Sequence, residues 1–253
     1  MKILKIEETD STNIWLKENE KVLESPLFVY CVTQTAGRGQ RGNTWESEPG
    51  KNITGSLLFH PLSLRAENQF LISEAVALGV VELLGKYGIQ AKIKWPNDIY
   101  VDNEKICGIL VENVITGRDI TRSIAGVGLN VNQDTFISDA PNPVSMTQIT
   151  GLTYPIDRVT EDLVSTIESN LKGIITPEEL HEKFMEKLWR NDGNFYPFFD
   201  RKSDEPIKAK IQAVRPDGTL MLITDKNEVR SYVFKEIEFK TDIKSLKTVR
   251  RGR

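Results

Sequence analysis

The sequence is poor in the residues on which many metal and nucleophile sites depend. It holds two cysteines, Cys31 and Cys107, and two histidines, His60 and His181, among 253 residues. Each cysteine lies in an apolar stretch, which favours buried thiols in a reducing compartment over a disulfide or a metal pair. Two separated histidines provide no cluster for zinc and no Ser-His relay. Chemistry based on histidine or cysteine clusters is therefore excluded.

The chain also lacks a basic excess and a long apolar run. Its formal net charge is -3, whereas dedicated nucleic-acid binders are usually clearly basic. The N-terminal MKILKIEETD has acids where a signal peptide needs an apolar core. The apolar run from Ala75 to Leu84 is broken by Glu82 and is too short to cross a bilayer. These absences predict a soluble, cytoplasmic protein without a DNA or membrane partner.

The remaining composition is that of an ordinary globular chain, with 39% hydrophobic and 27% charged residues. Runs of β-branched and aromatic residues predict strands at 25–35 and 52–59. Apolar residues at helical spacing predict a helix over 70–87. The next segment, 91–114, is predicted to form a strand and a hairpin, and TRSIAGVGLNVN another strand.

The second half of the chain changes character twice. Leu163, Ile167 and Leu171 fall four apart and predict a helix, and a second helix is predicted to open with a capping box at 176–179. Alternating residues over 208–240 then predict a meander of short strands suited to a small barrel. This order predicts an α+β fold, with one domain at 1–200, and a small barrel with a basic tail at 201–253.

The stretch QTAGRGQRGNTW has the G-x-G-x-x-G spacing of dinucleotide-binding loops, at Gly37, Gly39 and Gly42. That fingerprint needs a helix opening within the loop and an acid about twenty residues later. Here NTWESEPGKN follows, with a proline, a glycine and no apolar stripe, and no acid ends a later strand. The Rossmann interpretation therefore fails. Arg38 and Arg41 instead predict a loop that closes over an anion, with a flexible, solvated turn as the alternative.

A second constellation lies about sixty residues further on, in KWPNDIYVDNEKICGILVEN. Its Trp-Pro step precedes two oxygen-bearing side chains, Asn97 and Asp98, and Lys105 and Gly108 follow in the predicted hairpin. Small residues then lead through GVGLN to Asn130, and near the start DSTN resembles a helix N-cap. Each motif alone is compatible with a turn or a solvated charge.

Taken in order, DSTN, QTAGRGQRG, KWPND, K-x-x-G and GVGLNVN closely resemble the motifs of the biotin protein ligases (biotin–[acetyl-CoA-carboxylase] ligases). The resemblance implies a mixed β-sheet catalytic domain flanked by helices, of the class II aminoacyl-tRNA synthetase/biotin synthetase-like type, followed by an SH3-like barrel. It implies activation of biotin by ATP to biotinyl-AMP, then transfer to a lysine of a biotin carboxyl carrier domain of a biotin-dependent carboxylase. Because the motifs begin at residue 10, we expect no N-terminal DNA-binding domain. An exposed strand of the sheet also allows a homodimer.

The resemblance also implies roles for individual residues. Arg38 and Lys105 are the expected catalytic residues, because cations offset the repulsion between carboxylate and phosphate, about 4 kcal/mol at 4 Å and an effective dielectric near 20. The triphosphate implies Mg²⁺, for which Asn97 and Asp98 are possible ligands without a dedicated cage. The expected biotin-binding residues are Ser11, Thr12, Asn13, Gln34, Gly37, Arg38, Gly39, Lys105 and Gly108. The expected ATP-binding residues are Arg38, Arg41, Gly42, Trp45, Asn97, Asp98, Lys105 and Asn130.

Three other functions compete with this interpretation. They are a lipoate or octanoate ligase or transferase of the same superfamily, a non-catalytic biotin or nucleotide sensor, and a generic nucleotide-binding α/β protein. KWPND together with GRG favours biotin, and an intact Lys105 favours an enzyme. Many relatives carry arginine where this chain has Gln40, and several carry it at Asn43. The loss of these two cations predicts weaker retention of the acyl-adenylate or slower ordering of the loop. The basic tail from Lys244 is interpreted as a solvated terminus rather than a steering element.

Overall fold

A computed structural model describes residues 1–137 and 142–240 of the chain, with the side chain of Arg41 left out. Its larger sheet has seven strands in the order β1-β2-β3-β7-β6-β5-β4. The strands are β1 (Lys2–Thr9), β2 (Leu27–Gln34), β3 (Ile53–Phe59), β4 (Lys92–Lys94), β5 (Asp98–Val101), β6 (Glu104–Thr116) and β7 (Asp119–Leu129). β1 and β2 run parallel, and the other neighbouring pairs run antiparallel.

Helices cover both faces of this mixed sheet. They are α1 (Thr12–Asn19), α2 (Phe70–Lys86), α3 (Met146–Thr150), α4 (Ile156–Lys172) and α5 (Pro177–Lys187). Because side chains alternate along a strand, Leu27 and Val29 pack with Leu16 of α1 on one face. Phe28 and Tyr30 point to the opposite face and join the larger core beneath α2 and α4. α1 packs against β2, β3 and β7 on this face of the sheet.

Helix α2 lies in the centre of the larger core. The stretch Ala66–Lys86 is long and apolar enough to cross a membrane, but 72% of its most apolar window is buried inside the protein. The sequence argument that this apolar run is too short is therefore wrong about length. Burial against α4 and α5 shows that its apolar surface serves the core.

The strand and helix predictions for the first half are confirmed by β2, β3, α2 and the β5–β6 hairpin. The sequence predictions missed β1. Ser11 does occupy the N-cap position of α1, yet its side chain makes no cap hydrogen bond. The predicted capping box at Thr176 is wrong, because that side chain also makes no cap hydrogen bond. A complete capping box instead joins Ser145 and Gln148 at the start of α3.

The last described segment forms a second, antiparallel sheet of five strands. The strands are β8 (Tyr196–Asp200), β9 (Glu205–Val214), β10 (Leu220–Thr224), β11 (Val229–Tyr232) and β12 (Ile237–Phe239). The meander prediction is confirmed, but the order β11-β10-β9-β8-β12 leaves two open edges. The SH3-like barrel and the boundary after residue 200 stay predictions. The predicted basic tail from Lys244 lies outside the described residues.

The second sheet contacts the first domain through specific groups. Trp95 Nε1 donates a hydrogen bond to the carbonyl of Gly218 at 2.9 Å. Trp189 Nε1 donates to the carbonyl of Asp102 at 2.9 Å, and its ring also contacts Phe239. The Trp95 bond holds the β9–β10 turn beside the segment that carries Asn97 and Asp98, and the Trp189 ring contacts the edge strand β12.

Candidate active site

A cavity of about 700 Å³ opens on the α1 face of the mixed sheet. Its floor is made by residues without bulky side chains at matching positions of adjacent strands. Gly108 of β6 pairs with Gly128 of β7, and Gly128 pairs with Thr54 of β3. Gly126 lies two residues away on the same face of β7, because side-chain direction alternates along a strand. The alternating glycines of AGVGLN therefore leave open a surface that longer side chains would fill.

The glycine–arginine loop forms the roof of the cavity. It contains a short 3-10 turn at Gln40–Gly42 and no α-helix, which confirms that the Rossmann interpretation fails. Arg38 pairs with Thr44 across the loop, and the amide of Gly39 donates to the carbonyl of Asn43 at 2.7 Å. Arg38 is exposed and lies at the rim of the cavity. The backbone of the loop thus presents a guanidinium group to the opening.

Trp45 closes the loop against the floor. A Cβ atom added to Gly108 would lie 2.9 Å from the Trp45 ring, and the ring also contacts Gly128. The Trp45 Nε1 atom is buried and has no hydrogen-bond partner among the described residues. The ring therefore rests on the glycine floor, with an unused donor inside the site.

Lys105 and Asp98 form an ion pair inside the cavity, with 2.6 Å between Nζ and Oδ1 and side chains about one-fifth exposed. The Lys105 ammonium also lies 5.7 Å from the centre of the Trp45 ring. Backbone bonds fix Lys105 on β6, since its amide donates to the carbonyl of Asn142 at 2.7 Å. A partly buried ammonium is thus held by a carboxylate inside the cavity.

The other end of the cavity is neutral and polar. The amide of Thr12 donates to Gln34 Oε1 at 3.0 Å, and the Thr12 hydroxyl lies 2.6 Å from the Ser56 hydroxyl. Ser11, Thr12 and Asn13 are all buried and line the cavity. The motif DSTN thus places its hydroxyl groups in the cavity wall where α1 begins.

Asn97 and Asn130 are held by backbone partners. Asn97 Nδ2 donates to the carbonyl of Ile109 at 2.6 Å, which ties the segment before β5 to β6. Asn130 Nδ2 donates to the carbonyl of Val144 at 3.0 Å. Asn130 Oδ1 is buried and has no hydrogen-bond partner in the described ranges. Among those residues, no three His, Cys, Asp or Glu side chains form a metal cluster.

A second cation lies behind the ion pair. Lys94 on β4 is paired in register with Asp98, and its Nζ donates to the Tyr100 hydroxyl at 3.0 Å. Burial lowers the pKa of the Lys94 ammonium, and Asp98 acts in the opposite direction. Burial, helped by Asp98, raises the pKa of Tyr100 to about 12. Asp98 thus has two ammonium groups near it, one inside the cavity and one behind it.

Most of the predicted site residues line this cavity together. Gly37 does not line it and instead packs against Gln34, whose Nε2 would lie 2.9 Å from a Cβ added there. The backbone of Arg41 lies in the 3-10 turn, and its side chain lies outside the described part of the structure. Sequence reasoning missed the wall residues Thr54, Gly55, Gly126, Gly128 and Phe234. The period-2 glycines of SIAGVGLN were the available signal for two of them.

Comparison with known sequences identifies this domain. Residues 5–130 match the profile of the Biotin/lipoate A/B protein ligase family. Residues 5–130 belong to that family. The chain is 37% identical over 230 residues to biotin–protein ligase 1, chloroplastic, of Arabidopsis thaliana, covering 81% of this chain and 58% of that protein. It is 38% identical over 118 residues to the bifunctional ligase/repressor BirA of Bacillus subtilis, covering 46% of this chain and 35% of that protein.

The fold agrees with the family match. The biotin protein ligase from Aquifex aeolicus in complex with biotin and ATP superposes with a TM-score of 0.77 over 95% of this chain and 99% of that chain. At 23% identity this likeness shows the fold. The chain spans less than two thirds of the length of the two curated relatives described above.

Proposed function

We propose that the protein is a biotin protein ligase, which activates biotin with ATP and transfers it to a lysine of a biotin carboxyl carrier domain of a carboxylase. The observation that carries this proposal is the polarity of one cavity. Its neutral end at Thr12 and Gln34 suits an uncharged polar ring, and its cationic end at Lys105 and Arg38 suits two anions. The relatives named as biotin–protein ligases support the same function.

In the first step a carboxylate oxygen of biotin attacks the α-phosphorus of ATP. A carboxylate-to-phosphorus bond forms, the bond to the β-phosphate breaks, and pyrophosphate leaves with the electron pair. Lys105 exchanges Asp98 for the reacting anions, and Arg38 closes from the rim on the phosphate. Two unit charges repel by about 4 kcal/mol at 4 Å and an effective dielectric near 20, so these cations offset a barrier of that order.

In the second step the amine of the carrier lysine attacks the acyl carbon of biotinyl-AMP. An amide bond forms, the acyl–phosphate bond breaks, AMP leaves, and the amine gives up a proton. Asp98 and Asn97 stand beside Lys105 at the side of the cavity near the second sheet. When Lys105 has moved to the phosphate, the Asp98 carboxylate accepts the proton that the amine gives up.

The cavity also fits a divalent cation with few protein ligands. Asn130 Oδ1 is a buried oxygen without a partner among the described residues, and Asp98 supplies a carboxylate to the same cavity. Oxygen ligands of this type suit Mg²⁺, which neutralises phosphate charge when bound. We assign these two residues as its candidate ligands, and Asn97 as an orienting neighbour.

Pyrophosphate–ATP exchange with biotin, lipoate or octanoate added singly tests the function. We expect exchange with biotin alone, because the dithiolane and alkyl chains leave the polar groups at Thr12 and Gln34 unpaired. Exchange with lipoate or octanoate would instead identify the protein as a lipoate or octanoate enzyme of the same superfamily. No exchange with any of the three acids, despite binding of biotin, would favour a sensor.

Replacing Gln40 tests the predicted loss of cations from the loop. Gln40 lines the cavity, and its Oε1 is buried without a partner in the described structure. We expect Gln40→Arg to slow release of biotinyl-AMP by about tenfold, because a charge-assisted hydrogen bond contributes about 1.5–3 kcal/mol. Stopped-flow or filter-binding measurement of dissociation checks this.

Gln90→Arg is the matched control, since Gln90 is exposed and lies outside the cavity. It adds the same charge to the molecule, and we expect it to leave release unchanged. Equal rates for Gln40→Arg and the parent would refute the retention hypothesis.

The proposal also covers the second sheet, the oligomeric state and the location of the protein. We infer that the second sheet closes as an SH3-like unit in solution and that Phe234 brings it to the cavity wall. We also propose that the edge strand β1 or β4 of the mixed sheet is available for a homodimer. A cytoplasmic location suits both an ATP substrate and the buried thiols of Cys31 and Cys107.

A further inference from the structure

A continuous chain of hydrogen bonds runs from the outside of the protein to the neutral end of the cavity. Lys17 Nζ donates to Glu112 Oε1 at 2.6 Å, and Asn13 Nδ2 donates to Glu112 Oε2 at 2.7 Å. Ser56 Oγ donates to Asn13 Oδ1 at 2.5 Å, and lies 2.6 Å from Thr12 Oγ1. Lys17 and Glu112 are about one-third exposed and neither lines the cavity.

The direction of every bond in this chain follows from its outer end. A carboxylate held by an ammonium group can only accept, so the Asn13 atom that faces Glu112 must be the amide nitrogen. The Asn13 oxygen then faces Ser56, which must donate its hydroxyl proton to it. Ser56 Oγ is left as an acceptor, and a proton must lie between two hydroxyl oxygens 2.6 Å apart. The Thr12 hydroxyl therefore donates to Ser56 in preference to Gln34 Oε1, which is 3.4 Å away. Thr12 Oγ1 therefore presents only lone pairs to the cavity.

The orientation of Gln34 is fixed in the same way. The amide of Thr12 can only donate, so the Gln34 atom 3.0 Å away must be its oxygen. The Gln34 Nε2 group is consequently the free end and lies beside Gly37. The neutral end of the cavity thus combines an acceptor at Thr12 with a donor at Gln34. A cyclic urea carries N–H donors and a carbonyl acceptor on one edge, which complements this pair.

The register of the sheet brings the members of this hydrogen-bond chain together. Ser56 of β3 pairs with Gly126 of β7, and Gly126 pairs with Leu110 of β6. Asn13 of α1 lies over Gly126, where an added Cβ would come within 2.6 Å of Asn13 Oδ1. Glycine at this position leaves space for the Asn13 amide between Ser56 and Glu112. The hydrogen-bond chain is therefore formed by residues of the central strands and α1, and does not depend on a loop.

We propose that Lys17 and Glu112 are positioning residues that set the hydrogen-bond polarity of the neutral end of the cavity and thereby select a cyclic urea as the ligand ring. This inference rests on the proposed function and deepens it, because it names the distant residues that make Thr12 an acceptor. The dithiolane ring of lipoate offers no N–H to that acceptor, so the same polarity disfavours it.

Glu112→Gln reverses the donor and acceptor roles along this chain of hydrogen bonds, and glutamine has nearly the same shape as glutamate. Lys17 can donate only to the amide oxygen of the new side chain, which turns its NH₂ group toward Asn13. Asn13 must then flip, Ser56 must donate to Thr12, and the Thr12 hydroxyl proton turns to the Gln34 side of the cavity, where it opposes a urea N–H. We expect biotin affinity to fall by about 10- to 100-fold, with kcat retained at saturating biotin.

The double variant Lys17→Met/Glu112→Gln tests whether the direction of the hydrogen bonds, and not a structural change at Glu112, lowers the affinity. Without the ammonium group, the oxygen of the newly introduced amide is free to face Asn13, and the original direction of the chain returns. We expect its biotin affinity to recover to within about threefold of the parent, because the two positions are coupled through one hydrogen-bond network. Asp157→Asn, which alters the separate Lys5–Asp157 pair, is the control and is expected to bind biotin as the parent does.

Isothermal titration calorimetry with biotin, with thermal melts of all four proteins, decides among the outcomes. Weak binding by folded Glu112→Gln and recovery in the double variant support the proposal. Parent-like binding by Glu112→Gln, or equally weak binding by the folded double variant, overturns it and leaves the proposed ligase function intact. If the parent itself does not bind biotin, the proposed function fails and the inference falls with it.

Discussion

Lys105→Met is expected to lower biotin-dependent pyrophosphate–ATP exchange by at least about 100-fold, because it removes a cation that acts on charge developing in the transition state. Methionine keeps much of the length and the apolar stem of lysine. The 2.6 Å pair with Asp98 is lost, but both side chains are partly exposed, so the fold should tolerate the change. Exchange kinetics at saturating biotin and ATP measure the effect on the chemical step.

Lys92→Met is the matched control for this prediction. Lys92 is exposed on the edge strand β4, and its Nζ donates to the backbone carbonyl of Glu186 at 3.1 Å. It lies outside the cavity, so we expect exchange within about twofold of the parent, as is usual for surface substitutions. Equal losses in the two variants would show that general charge matters more than the position of Lys105. Full activity in Lys105→Met would remove it from the catalytic assignment.

Gly79→Ala is expected to destabilise the protein by about 2 kcal/mol, although alanine is the better helix former by about 1 kcal/mol. Gly79 lies in α2 where it crosses α4. A Cβ at this position would lie 2.8 Å from Ile167 Cα and 2.9 Å from the Ile167 backbone nitrogen. Backbone atoms cannot rotate away as a side chain can, so α2 and α4 must separate. Overpacking therefore outweighs helix propensity at this crossing.

Gly85→Ala in the same helix measures the effect of helix propensity alone on the free energy of unfolding. A Cβ there meets nothing within 4 Å, so the substitution should stabilise the protein by about 0.5–1 kcal/mol. Denaturant unfolding followed by tryptophan fluorescence and circular dichroism measures both free energies. A gain in stability for Gly79→Ala would mean that α2 and α4 are not packed as closely as the structure shows.

The proposed catalytic groups and the proposed ring-binding groups differ in how they are held in the absence of ligand. Lys105 is paired with Asp98, and the buried Asn130 Oδ1 has no hydrogen-bond partner within 1–137 and 142–240. Under the proposed function, these groups change partners when the ligands bind. At the neutral end, Asn13 and Ser56 are instead committed to the internal network from Thr12 to Lys17. Under the proposed function, the first arrangement lets charged groups change partners during the reaction, and the second holds the ring-binding groups in a rigid position.

The α+β order, the strands β2 and β3, helix α2 and the β5–β6 hairpin followed from the sequence because their patterns are local. Strand alternation and helical spacing depend on residues two to four positions apart, and these patterns were interpreted correctly. β1 was missed because each of its residues is only partly buried or exposed at a sheet edge, which weakens the alternation. The capping box was misplaced because whether a threonine side chain turns back to its helix depends on the geometry of the preceding turn.

The motifs DSTN, GRGQRG, KWPND and GVGLN were enough by themselves to indicate the family. They also predicted which residues supply the charged groups of the site and which supply its neutral polar groups. Only the tertiary structure placed Trp45 on Gly108 and Gly128, paired Lys105 with Asp98, and joined Asn13 to Ser56 and Glu112. Contacts of this kind join residues 43 to 99 positions apart in the Asn13 network. No local pattern encodes such pairs, because they arise from strand register and from the space that glycine leaves between neighbouring elements.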